Sequence, residues 1–222
     1  MSTWEEAQQL GIERMYFIEL HRQARTCLTA CDRTLELGEH LRAGLRPNHP
    51  ELRELQERVD QAISAAASIR NLLFGSNARR KKPEDLYELG NARIEWLKGF
   101  VGEHEFPTIE SVDARNSLEH FDERIDRMVY DSLSRPADER LPAVFDSVVK
   151  SRGAWGPDKR PYVEVRCYIA DEANFVIWDD VVHIPDLRGE AQRIVRATKN
   201  HIPSLTQQWD TTGAPPQTLV IL

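Results

Sequence analysis

The stretch Phe17-Ile18-Glu19-Leu20-His21-Arg22-Gln23-Ala24-Arg25-Thr26-Cys27-Leu28-Thr29-Ala30-Cys31 decides the architecture. Leu10, Phe17, Ala24 and Cys31 recur at intervals of seven, Leu20, Cys27 and Leu41 form a companion row, and Leu28 and Leu35 widen it. An apolar stripe of that period belongs to a core-facing helix. Thr3 with Glu6 forms a capping box at its head, and no proline interrupts the chain until Pro47. The pattern predicts a helix from Thr3 to about Leu45.

Working outward, Arg46-Pro47-Asn48-His49-Pro50 makes a turn, and Asn48 with Glu51 is a second capping box. Leu52, Leu55, Val59, Ile63, Ala66, Ile69 and Leu73 carry a second helix to Phe74, closed by Gly75. A linker follows, holding the basic run Arg79-Arg80-Lys81-Lys82. A third helix is expected over Pro83 to Val101, with Leu86, Leu89, Trp96, Leu97 and Phe100 inward. A fourth is expected from Thr108 to Leu133, with Leu118, Phe121, Ile125, Met128 and Val129 turned into the bundle. A shorter one is expected over Ala137 to Lys150. Long amphipathic helices joined by short turns imply an antiparallel bundle, four long helices plus a shorter one.

The period changes after Gly153-Ala154-Trp155-Gly156-Pro157. Val163, Val165, Cys167 and Ile169 alternate with Glu164, Arg166 and Tyr168, which reads as a half-buried strand. Asp171 to Asn174 turns the chain, Phe175 to Trp178 and Val181 to Ile184 supply further strands, and a last helix covers Leu187 to Lys199. Residues 1–150 thus form the bundle, and 151–222 a small β-hairpin and helix appendage with a polar tail. Trp178, Val181, Val182 and Ile184 either pack on the bundle or form a protein-binding edge.

The chain has 222 residues, 41% hydrophobic and 29% charged, enough for a real core. Its 29 Lys and Arg against 36 Asp and Glu give a net charge of -7. That balance argues against a uniformly basic nucleic-acid surface and leaves room for a local phosphate site. No apolar run reaches the ~18 residues of a membrane span, and the first residues lack the form of a signal peptide. Three cysteines do not make a secreted disulfide framework. The expected compartment is the cytoplasm, with no membrane contact.

On the expected fourth helix, Asp113, Asn116, His120, Arg124 and Arg127 lie opposite the apolar sector, and Arg115 flanks the far edge of this polar face. The set suits phosphodiester chemistry. Histidine exchanges protons near neutrality, and arginine grips phosphate through a fork of donors. Arg115-Asn116-Ser117-Leu118-Glu119-His120-Phe121-Asp122-Glu123-Arg124 resembles the signature of the HEPN superfamily, in which an arginine and a polar residue precede a histidine late in an all-helical bundle.

The resemblance implies a metal-independent endoribonuclease without cofactors, of the toxin–antitoxin or antiviral abortive-infection kind. It implies Arg115, Asn116 and His120 as catalytic residues and a homodimer bringing two motif helices together. RNA would be cut by 2′-OH attack, leaving 2′,3′-cyclic phosphate ends. Arg124 and Arg127, with Arg79, Arg80, Lys81 and Lys82, would help bind substrate. An antitoxin or other protein partner fits the hairpin. Asp113, Glu119, Asp122 and Glu123 crowd the same site with carboxylates. The alternative is therefore a catalytically inactive interaction or regulatory protein of the same fold.

Other residues read as structural. Cys27 and Cys31 fall in the apolar stripe as small core residues, and His21 is a hydrogen-bonded boundary residue. No glutamate stands three residues before a histidine, as a di-iron bundle needs. Zinc spacing and glycine-rich phosphate loops are likewise missing.

Overall fold

A computed structural model describes residues 11–44, 49–75, 84–102, 104–111, 121–140, 143–144, 147–152 and 163–199. The fold is mainly helical, with several long helices and a small, unclosed β-sheet in the C-terminal half. Helix α1 spans Ile12–Arg42, α2 His49–Leu73 and α3 Glu84–Val101. The expected stripe of α1 is the one buried: Phe17, Leu20, Ala24, Cys27 and Cys31 are all closed to solvent. They meet Leu55, Val59, Ile63, Ala66, Ile69 and Leu73 of α2, where Ala62, Ala65 and Ala67 let the helices approach closely. Gly75 closes α2 with a φ of 81°, which glycine adopts without strain.

Helix α3 crosses the ends of both. Phe17 stacks edge-on against Trp96 and Phe100 at 6.4 and 5.0 Å. The Arg93 guanidinium lies over the Tyr16 ring and donates to the Asn71 carbonyl. One arginine thus touches the start of α1 and the end of α2, so these two helices run antiparallel. Leu97 is buried as expected, but Leu86, expected inward, is 49% exposed. It lies more than two turns before Trp96, where α3 meets Phe17 of α1.

The expected helix from Thr108 is cut short. Helix α4 is the single turn Pro107–Glu110, and Ser111 leaves helical geometry at φ -87°, ψ 11°. Helix α5 is Phe121–Leu133. The helix expected over Ala137 to Lys150 does not form. A 3-10 turn at Ala137–Glu139 is followed by strands β1 (Ala143–Val144) and β2 (Ser147–Val149). Pro142 lacks the N–H that a helix would need there, and Val144, Val148 and Val149 suit extended backbone.

With strands β3 (Val163–Glu164), β4 (Arg166–Ile169), β5 (Asn174–Ile177) and β6 (Asp180–His183), the described strands form a two-stranded sheet, β1-β3, and a four-stranded one, β2-β4-β5-β6. β1 pairs with β3 and β2 with β4, both parallel, each residue's partner lying 20 positions on from Ala143↔Val163 to Val149↔Ile169. β4, β5 and β6 form an antiparallel meander. The register sets Tyr168, Phe175 and Val182 in one row and Cys167, Val176 and Val181 in the other. The first row faces the helices and joins the main core. In the second, Cys167 and Val176 cluster with Val149 and Ile169, while Val181 at the edge strand stays 50% exposed. Tyr168, expected on the polar side of a half-buried strand, is therefore buried, because this strand is covered on both faces.

The ring of Tyr168 lies against α1 at Gly38, where a Cβ would stand 2.6 Å from its hydroxyl. Helix α6 (Ile184–Lys199) follows β6 without a connecting residue and lays Leu187, Ala191 and Ile194 on the core. Arg188 binds Asp32, and His21 Nδ1 lies 2.8 Å from Thr198 Oγ1, so α6 runs antiparallel to α1. The buried core passes without a break from the helices to the sheet and α6.

Candidate functional site

The segment carrying Arg115, Asn116 and His120 leaves α4 at Ser111 and rejoins the described chain at Phe121. These three residues, with Asp113 and Glu119, lie outside the described residues, as do Arg79, Arg80, Lys81 and Lys82. The structure does describe what anchors the segment at either end.

Upstream, α4 is held from a distance. Glu190 of α6 is buried, and its carboxylate oxygens accept the backbone N–H groups of Thr108 at 2.9 Å and Ile109 at 2.8 Å. Those two donors open a helical turn and have no partner within it, so a carboxylate satisfies both and meets the positive end of the turn. Ile109 and Phe106 are buried beside it, Arg193 lies over the Phe106 ring, and Arg193 also donates to the Glu105 carbonyl. Arg70 donates to the Glu110 carbonyl at 2.8 Å, so the segment departs from a fixed point. Glu190 was open to discovery in the sequence. It falls inside the stripe of Leu187, Ala191, Ile194 and Thr198, and an acid in such a stripe demands buried donors.

Downstream, Arg124 and Arg127 are the two expected substrate-binding residues whose places are described. Arg124 is half-buried, its Nη1 3.9 Å from Asp180 Oδ2 on β6. That distance is a loose ion pair rather than a hydrogen bond, and it couples α5 to the hairpin. Arg127 is exposed, as are Asp122 and Glu123. The apolar sector expected to bury in the bundle does so only in part. Ile125 and Met128 are half-buried, whereas Val129 is 45% exposed; Leu133, outside that sector, is 63% exposed.

A cavity of about 380 Å³ opens where the ends of α2 and α3 meet α4. Leu73, Phe74, Val101 and Phe106 make its apolar walls, and Lys98, His104, Glu105 and Glu110 its polar ones. Lys98 Nζ stands 5.6 Å from the centre of the Phe74 ring, so that aromatic face already carries a cation of the chain itself. Sequence reasoning did not single out this cavity, since its residues come from three separate elements.

The remaining titratable candidates are structural. His21 accepts no catalytic duty in this arrangement. Thr198 Oγ1 donates to the Ile194 carbonyl at 2.7 Å, so it accepts from the imidazole Nδ1–H. Burial, with Arg25 close by, holds the imidazole pKa below its usual value. Cys27 and Cys31 are both buried, and the hydrogen bond that the Cys31 thiol shares with Cys27, together with burial, drives Cys31 far above its ordinary range. Burial pushes Cys167 up to about 12. Among the described residues no group of three His, Cys, Asp or Glu side chains is placed to hold a metal ion. No described helix is long and apolar enough to cross a membrane. No family model, curated protein or solved structure matches the chain.

Proposed function

We propose that the chain is a metal-independent endoribonuclease of the HEPN type, acting in the cytoplasm as a toxin or antiviral-defence protein. The observation that carries this reading is the stretch Arg115-Asn116-Ser117-Leu118-Glu119-His120, set immediately before α5 in a mainly helical fold. Metal independence comes with the resemblance, as does the homodimer across the two motif segments. His120 takes the proton from a ribose 2′-OH as that oxygen attacks the adjacent phosphorus, and a proton is returned to the departing 5′-oxygen. Arg115 holds the phosphate as negative charge grows on it, and Asn116 sets the geometry of the pair. The products are a 2′,3′-cyclic phosphate and a 5′-OH. DNA lacks the attacking hydroxyl and is inert.

Arg127 supplies positive charge beside the site, and Arg79, Arg80, Lys81 and Lys82 would extend it where the linker folds near it. Arg124 contributes less, because Asp180 already draws on its charge. The decisive experiment incubates the full chain and its His120→Ala variant with mixed RNA in EDTA. Cleavage with cyclic phosphate ends, reduced by about 10²- to 10⁴-fold in the variant, is the expected result. Equal and negligible cleavage by both proteins overturns the reading in favour of a non-catalytic interaction protein.

A further inference from the structure

The sides of α5 differ sharply in chemistry. At about 100° per residue, Val129, Asp122, Leu133, Asp126 and Tyr130 follow one another around an arc of about 100°. All five are exposed, Tyr130 by 74%. Arg124 and Arg127 lie outside this arc, and the half-buried Ile125 and Met128 lie beyond its other edge. The flank therefore presents two aliphatic side chains, an aromatic ring and two carboxylates, with no cation among them. Acids near a helix N-terminus are favoured by its dipole, which accounts for Asp122 alone. It does not account for three large apolar side chains turned to solvent along the same flank, a combination that marks contact surfaces.

We propose that this flank of α5 docks a protein partner through a cationic amphipathic helix of that partner. The partner's Lys or Arg side chains meet Asp122 and Asp126, and its apolar stripe covers Val129, Tyr130 and Leu133. Charge complementarity selects this occupant. RNA is repelled by the two carboxylates, and a second copy of the chain brings an equally acidic flank. The inference needs neither Arg115 nor His120 and stands apart from the ribonuclease reading.

The test titrates the full chain, at physiological salt, into a fluorescein-labelled amphipathic peptide of Leu and Lys, about 14 residues long, and reads anisotropy. Asp122→Lys with Asp126→Lys is expected to raise Kd at least about tenfold, and Val129→Ser with Leu133→Ser to do the same. Glu57→Lys with Glu88→Lys, the same change of charge on exposed sites of α2 and α3, is expected to leave Kd within about twofold. A scrambled peptide of equal composition should bind at least about tenfold more weakly. Circular dichroism of each variant checks the fold, and the charge-reversed pair alone suffices should the serine pair unfold. Absence of binding, equal loss in both charge-reversed proteins, or equal binding of the scrambled peptide overturns the proposal. So does a sedimenting dimer of the chain that Leu133→Ser dissociates, since a second copy is then the occupant.

Discussion

Helices α5 and α6 are alike on paper and unlike in the molecule. Both carry a pronounced apolar stripe bordered by charges. α6 buries Leu187, Ala191 and Ile194 completely, while α5 leaves Val129 and Leu133 largely in water. The difference lies in how each is delivered. α6 starts at the residue after β6, so the sheet register aims it at α1, and Arg188–Asp32 and His21–Thr198 hold it there. α5 is linked to the hairpin through the loose Arg124–Asp180 pair. An amphipathic pattern therefore specifies that a helix has an apolar side, and the chain's route specifies what that side meets.

Substitutions in the two helices should separate them most. Leu187→Ala is expected to lower stability by about 2–5 kcal/mol, a core deletion with its cavity, whereas Leu133→Ala should change it by less than about 0.5 kcal/mol. Urea denaturation of both variants checks this, and equal losses would break the contrast. Glu190→Ala comes next, at about 2–4 kcal/mol, because it strips the acceptor from two backbone donors at Thr108 and Ile109. If α4 then frays, amide exchange at Ile109 should rise to the rate of an open turn.

Gly38→Ala sharpens the α1 side of the comparison. Alanine normally gains about 1 kcal/mol over glycine inside a helix, but here its Cβ meets the buried Tyr168 hydroxyl. Overpacking of this kind costs about 1–3 kcal/mol, so the net effect should be a loss of about 1 kcal/mol. Among the described residues that hydroxyl has no hydrogen-bond partner, and burial lifts its pKa to about 12. Tyr168→Phe alone should thus be close to neutral and should relieve the loss caused by Gly38→Ala, a coupling a double-mutant cycle measures.

The smallest effect is the pH dependence contributed by His21. Its folded pKa lies below the ordinary value of 6.5, so the unfolded chain binds the extra proton more readily. The stability His21 contributes is present above pH 6.5 and falls as pH drops from there through the lowered folded pKa. Denaturation midpoints of the native chain and His21→Gln, followed from pH 7.5 to pH 5, should converge toward the acid end; parallel curves would remove His21 from the α1–α6 contact.

Much of the fold was legible because its signals are local. The stripes of α1 and α2, the closing Gly75, the turn after Asp171, the hydrogen-bonded boundary role of His21 and the buried places of the two helical cysteines all follow from spacing and residue type. The stretch from Ala137 to Lys150 misled, because short apolar runs satisfy helical and extended periods alike. Tyr168 misled for a different reason: alternation reports which side chains share a face, and only the neighbours of that face decide whether it is wet. The Arg115–His120 stretch was legible as a motif, and of the groups expected around it the structure places Arg124 and Arg127.

The chain's own periodicity determined that long helices form, where α2 begins and ends, and which sides of α1 and α2 turn inward, since backbone geometry and water act on a few neighbouring residues at a time. α1 itself begins at Ile12, after Gly11 at φ 70°, and not at Thr3 as expected. Tertiary structure alone decided that Glu190 would cap a turn 82 positions away, that Arg124 would lean on Asp180, and that α6 rather than α5 would cover α1. Those outcomes depend on free energies of contacts between distant segments, which no local pattern contains.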